Sequence, residues 1–244
     1  MPINMKHFIL SIAVSIFSFL PSAISSSTPA SDKNYAALSN RESWSKEELT
    51  LANTAGDKKY LTPEERDFIM YTNLIRMNGE KFFNTFFQDY VDAHNKRMAQ
   101  YANYNSLKIS RTDKYYKSLE KDLKDIRDLP VFWPDEALSW VARQHAKDMN
   151  RYNYAEHQSR DGRSVRDRIS QMYPRRAMGE NLSFGFATGL GNACMLILDK
   201  GVSNLGHRKL ILDTSYELNF VGVSIQPHKG YKYCAVMDFV ALPK

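Results

Sequence analysis

Cysteine occurs only twice in the 244 residues, at Cys194 and Cys234. That excludes a disulfide-stapled scaffold and leaves the fold to an ordinary apolar core. The two can bridge in an oxidising compartment or stay as buried thiols, and the sequence leaves both open. The apolar run Phe8 to Leu20 falls short of the roughly 20 residues a membrane-spanning helix needs, so no transmembrane anchor is expected. Lys6 and His7 before this run, and the small residues from Pro21 onward, instead predict a signal peptide over 1–25, cleaved near Ser25. No cysteine follows the run to carry a lipid anchor. The chain also lacks an H-x-x-x-H pair and a G-x-S-x-G elbow, and nothing repeats internally. A helix-borne zinc-protease pair and a serine-hydrolase elbow are thereby excluded.

Charge is modest. The formal net charge is +6, and removing residues 1–25 takes away Lys6 alone, which leaves +5. A balance of this size favours anionic surfaces or polymers such as lipopolysaccharide or acidic glycans, and serves equally well as a solubility device. Export removes nucleic acid from the expected partners, and a monomer is expected.

Residues 26–60 are rich in Ser, Thr, Ala, Asn and charge without apolar periodicity, and are read as a linker or poorly ordered arm. The globular part is expected over 61–244. It begins with a helix in which Thr62 caps, Pro63 takes the first position and Glu65 closes a capping box. Phe68, Tyr71, Thr72 and Ile75 recur at helical spacing before the Asn78-Gly79 stop. Residues 80–128 are dense in Phe, Tyr, Lys and Asn, and their second half is expected as a helix with a stripe of Tyr116, Leu119, Leu123 and Ile126. Its tyrosines (Tyr101, Tyr104, Tyr115, Tyr116) stand among Lys108, Arg111, Lys114 and Lys117; a solvated helix is favoured there over a sugar- or polyanion-binding surface. Trp133-Pro-Asp-Glu opens another helix with Leu138, Val141, Ala142, His145 and Met149 on one face, which makes His145 a core histidine. Leu182, Phe184 and Phe186 alternate as a strand, a helix follows that ends at Asp199, and Phe220 to Ala241 form a hairpin turning at His228-Lys229-Gly230. The predicted class is α+β, with helices on both sides of a central antiparallel sheet, a three-layer α/β/α sandwich.

The stretch from Tyr154 to Asp213 holds what chemistry there is: His157 in H-x-S, Glu180 in G-E-N, Asp199 at a helix end and His207 in G-H-R. These four residues lie in four separate segments, so spacing alone does not join them. Neither Ser159 nor Ser203, the serines nearest the histidines in sequence, stands in an activating context.

In order and spacing these segments, with L-x-x-x-A-x-x-H-A at Leu138–Ala146 and N-x-x-R at Asn73–Arg76, resemble the bacterial branch of the CAP superfamily. That family comprises cysteine-rich secretory, antigen 5 and pathogenesis-related proteins, the SCP-like extracellular domains. The resemblance implies the same sandwich with 80–128 as a helical insertion, a secreted or periplasmic location, and one cleft lined by His157, Glu180, Asp199 and His207. Two imidazoles and two carboxylates suit a divalent metal, zinc above all; without metal they make a polar network. Asp199 stands where the family often has glutamate, which shortens its reach. The resemblance further implies a non-enzymatic binding module for an envelope lipid, glycan or protein. The alternative is a metal-dependent, protease-like hydrolase with Glu180 as general base.

Overall fold

In the computed structural model, residues 14–15, 43–213 and 215–243 are described. The expected signal peptide lies outside them except for Val14–Ser15 (β1), which pairs in parallel with Leu182–Ser183. The linker expected over 26–60 needs correction from residue 43 onward. Ser45 and Glu48 form a capping box that starts α1 (Lys46–Ala52). Trp44, Ala52 and Ala55 are buried, and the Trp44 indole donates to Thr85 Oγ1 at 3.1 Å. A single tryptophan and two alanines anchor this segment, too few apolar residues to show a period.

Helix α2 (Pro63–Met77) is capped by Thr62 and Glu65 as their spacing requires. After it come α3 (Gly79–Phe82), a π-helical turn (Phe83–Phe87), α4 (Gln88–Met98), α5 (Tyr104–Leu107) and α6 (Lys114–Leu123). The π-helical turn gathers Phe83 and Phe87 against Tyr116 of α6, with ring centroids 5.3 and 5.8 Å apart. Then follow β2 (Trp133–Pro134), α7 (Glu136–Tyr152), α8 (Val165–Ile169), β3 (Met178–Phe184), α9 (Gly189–Leu198), α10 (Gly206–Ile211), β4 (Phe220–His228) and β5 (Lys232–Val240).

The protein is thus a mixture of helix and sheet, α+β. The sheet order is β1-β3-β5-β4-β2, with β5 antiparallel to both β3 and β4 and the two-residue strands parallel at the edges. Along β5 the side chains alternate between faces. Cys234 and Val236 pack with Ala142, Ala146 and Met149 of α7, while Ala235, Met237 and Phe239 join residues of α2 and α9. A Cβ added at Gly222 would lie 2.2 Å from the Leu138 carbonyl carbon, and one at Gly189 2.3 Å from the Phe68 nitrogen. Both glycines are therefore fixed by close backbone approach, of β4 to α7 and of α9 to α2.

The open cysteine question is answered by the same alternation. Cys194 belongs to the α9 side and Cys234 to the α7 side, and both are buried free thiols. Burial pushes both above the ordinary thiol range, Cys234 to about 12, which leaves them unreactive.

Candidate functional site

The segment after α7 turns at Asn153, which takes the left-handed conformation at φ 55°, and leads to His157. Ser164 and Asp167 then form a capping box that starts α8 and so aims Arg168 back at this turn. One Arg168 nitrogen donates to the His157 carbonyl (2.8 Å) and Ser159 Oγ (3.0 Å); the other donates to Glu180 Oε2 (2.5 Å). Glu180 Oε1 lies 2.8 Å from His157 Nδ1. His145 bonds the Glu156 carbonyl through Nε2 (3.0 Å) and meets Ser159 Oγ through Nδ1 (3.3 Å). It holds the turn from beneath, the core role expected of it.

The second half of the site is built by a strained turn. Asp199 ends α9 in the left-handed region at φ 55°, and Leu205 enters α10 at φ 52°. Neither is glycine, so each costs roughly 1–3 kcal/mol that the surroundings must offset. What the turn achieves is the placement of the Asp199 carboxylate: Oδ1 lies 2.7 Å from His207 Nδ1, and Oδ2 accepts from the Arg208 backbone at 3.2 Å. The Arg208 guanidinium, fully buried, donates to the carbonyls of Ile197 (2.9 Å) and Leu198 (2.8 Å) and to Ser118 Oγ (2.9 Å) and Asp122 Oδ2 (2.8 Å) of α6. Arg208 is therefore a fold anchor for the turn that presents His207.

The four predicted residues thus stand as two dyads, His157–Glu180 and His207–Asp199. Glu180 and Asn181 are consecutive on β3 and point to opposite faces. Glu180 reaches His157, whereas Asn181 donates to the His207 carbonyl at 3.2 Å, so the dyads meet β3 from its two sides. Among the described residues no group of three or more His, Cys, Asp or Glu side chains is arranged to hold a metal ion. Both carboxylates are occupied by hydrogen bonds, which leaves the imidazoles as the site's candidate ligands. His207 Nε2 is buried and has no hydrogen-bond partner among the described residues.

Two members of the site escaped sequence reasoning. Arg168 belongs to no motif of its own, and only the capping box at Ser164 hints at its direction. Asp238 interrupts the otherwise continuous apolar run Tyr233 to Val240 of β5, and that interruption is the signal that could have found it. It is paired across the sheet with Glu180, is wholly buried, and neither carboxyl oxygen has a partner of hydrogen-bonding geometry among the described residues. Burial, and then the charge of Glu180, push the Asp238 carboxyl well above the usual range. For Glu180 itself burial also pushes upward, but His145, Arg168 and His157 more than reverse it, to about 2. Because burial drives His145 toward its neutral form, Arg168 is the lasting cation that keeps Glu180 ionised.

No protein-family model and no curated protein matches the chain. Among solved structures it is similar to an extracellular protein containing an SCP domain from Bacillus anthracis str. Ames, at 25% identity over 47% of this chain and 35% of that one, with a TM-score of 0.38. It is also similar to an outer surface protein from Borrelia burgdorferi, at 16% identity over 55% of this chain and 97% of that one, with a TM-score of 0.40. The match therefore spans about a third of the length of the Bacillus protein.

Proposed function

We propose that this chain is an exported CAP-like module that binds a ligand of the cell envelope, without turning it over, at the site marked by the His157–Glu180 and His207–Asp199 dyads. The order of the H-x-S, G-E-N and G-H-R segments supports the family reading. The packing of α7 on one sheet face, with α2 and α9 on the other, supports a three-layer sandwich with 80–128 as an insertion. Among the described residues no helix is long and apolar enough to cross a membrane. The ligand class is an envelope lipid, glycan or protein, met in the periplasm or outside the cell by a monomer.

One observation carries the site reading: His207 Nε2 is a buried nitrogen without a partner among the described residues, on an imidazole whose Nδ1 is held by a carboxylate. This is how a histidine is prepared for a metal, and at His157 a carboxylate, Glu180, likewise meets Nδ1. His157 and His207, on the two sides of β3, would each offer an imidazole to a divalent ion such as zinc, while Glu180 and Asp199 orient them rather than ligate. A bound ion would supply a fixed positive centre for an anionic or carbonyl-bearing ligand. The hydrolase alternative asks Glu180 to act as a base, but both its oxygens are engaged and its carboxyl is held near about 2. Such a group has little affinity for a proton at neutral pH.

Calorimetric titration of metal-free protein with zinc tests the site, beside a His157→Ala/His207→Ala variant. Binding that weakens in mild acid and disappears in the variant is expected. Equal affinity of parent and variant would overturn the metal reading.

A further inference from the structure

The charge of this protein is concentrated in one place. Between Lys96 and Arg127 nine Lys and Arg stand against four Asp and Glu, a net +5 that equals the whole charge left once residues 1–25 are removed. Four of the nine cations stand on α6 and its C-cap, where Glu120 and Asp122 leave a net +2 between Lys114 and Lys124; what sets them apart is their placement on one side of the helix. Lys114, Lys117 and Lys121, with Lys124 at the C-cap in helical conformation, are all exposed. Spaced by three, four and three residues, they fall within an arc of about 80° of the helix. The opposite side carries Tyr116, Leu119 and Leu123, which are buried. The apolar side of α6 is therefore spent on the core, and the lysine side is exposed among the described residues.

The acids nearby do not neutralise this stripe. Asp122 lies about a third of a turn away, paired with Arg208 at 2.8 Å. Asp113 caps the helix at Tyr115 N and lies 3.9 Å from Lys200. Glu120 flanks the stripe on one side and Asp125 follows its end. Among the described residues no ion pair is made by Lys114, Lys117, Lys121 or Lys124. Aromatic rings edge the surface, with the Lys114 ammonium 5.0 Å from the Tyr115 ring centre and that of Lys108 5.4 Å from Tyr104.

We infer that this face of α6 docks the protein on a phosphate-bearing lipid surface. A convex helix side about 15 Å long meets a plane along its whole length. Lysines are point charges on flexible stems that follow mobile headgroups without a fixed bidentate geometry, and tyrosines suit the headgroup level. Each lysine near an anionic bilayer adds to attraction that falls off within a Debye length. Because Arg208 ties α6 to the turn bearing His207, docking would hold the site at a fixed orientation to that surface. The inference takes its setting from the envelope reading above, but does not depend on a metal in the site.

The test is sedimentation of the full chain with vesicles of phosphatidylcholine alone and with added phosphatidylglycerol. Since Phe8–Leu20 would act on both alike, the ratio of the two affinities is the readout. A ratio of at least about tenfold at low salt, collapsing at high salt, is expected. It should approach one when Lys114, Lys117, Lys121 and Lys124 are all changed to Gln. It should persist when Lys46, Lys59, Lys147 and Lys232, exposed elsewhere, are changed instead. A ratio near one for the parent, or an unchanged ratio in the α6 variant, overturns the inference. Stripe-dependent binding to soluble alginate that is tighter than to the anionic vesicles would overturn it in favour of a glycan. Zinc titration of the α6 variant keeps the two proposals apart: normal zinc binding with a lost ratio supports this inference, and a retained ratio with no zinc binding overturns only the metal reading.

Discussion

Arg168 does at the residue level what no single feature of its local sequence announces: it compensates a buried carboxylate and fixes the backbone of the histidine that carboxylate touches. Removing one partner of such a pair leaves the other charged and dry, which costs about 3–5 kcal/mol. Arg168→Met is expected to lose that much in urea unfolding; a loss under about 1 kcal/mol would show that Glu180 is stabilised by other means. The two acids facing each other across β3 and β5 should respond to pH with opposite signs. Glu180 is depressed from an ordinary 4.5 to about 2, so its contribution is present above the ordinary value and is lost as pH falls through that interval. Asp238 is raised from 3.8, so the folded protein keeps a proton that the unfolded chain has released, and stability falls as pH rises above about 4. Asp238→Asn should therefore gain stability relative to the parent between about pH 4 and neutrality, whereas Glu180→Gln should lose most near neutrality and least in acid. Parallel curves for the parent and both variants would refute this arrangement.

Elements divide by how much of their reason for existing is local. Helix α2 was legible because its cap, its proline and its apolar period lie within one stretch, and β4–β5 because a hairpin carries its own turn. The candidate site residues were individually legible from the H-x-S, G-E-N and G-H-R segments. Their partition into two dyads was not, because it depends on which face of β3 each neighbour meets. Asp238 was missed for the same reason, since a single acid in a strand shows its partner only through cross-strand register. Helix α6 stands between these cases. Its stripe was readable, but its attachment to α10 rests on Arg208, 86 residues from Asp122 and 90 from Ser118. Lysine at 208 would keep the charge but not the fork, leaving buried acceptors unmet at roughly 1–3 kcal/mol each. Arg208→Lys is expected to lower stability by about 3 kcal/mol and to raise amide exchange in α6 before α7. Unchanged exchange in α6 would remove the anchoring role.

Across the whole molecule, the clearest departure from the sequence reading is that the folded body starts before Leu61. Composition argued for a linker because polar residues outnumber apolar ones there, yet burial depends on what each residue reaches rather than on the average. Trp44 stacks on Phe86 with ring centroids 6.3 Å apart and lies under the Lys81 ammonium. The Ala52 carbonyl accepts from Asn73 Nδ2 at 2.9 Å, and Thr54 Oγ1 donates to the Phe132 carbonyl at 2.8 Å. Asn73 Oδ1 in turn accepts from the Phe132 backbone at 2.8 Å, so residues 52–54, α2 and the approach to β2 are one hydrogen-bonded unit. A chain beginning at Leu61 would leave the site of Trp44 empty and Asn73 short of partners. Loss of a buried tryptophan costs about 3–5 kcal/mol, and an unmet buried amide about 1–3 more. Compared with a chain beginning at Ser43, the shorter chain is expected to be at least about 4 kcal/mol less stable in urea, with the same single cooperative transition because the lost contacts belong to the main core. Coincident midpoints would mean that residues 43–60 lie on the body without stabilising it. Two separate transitions would mean that they form a unit of their own.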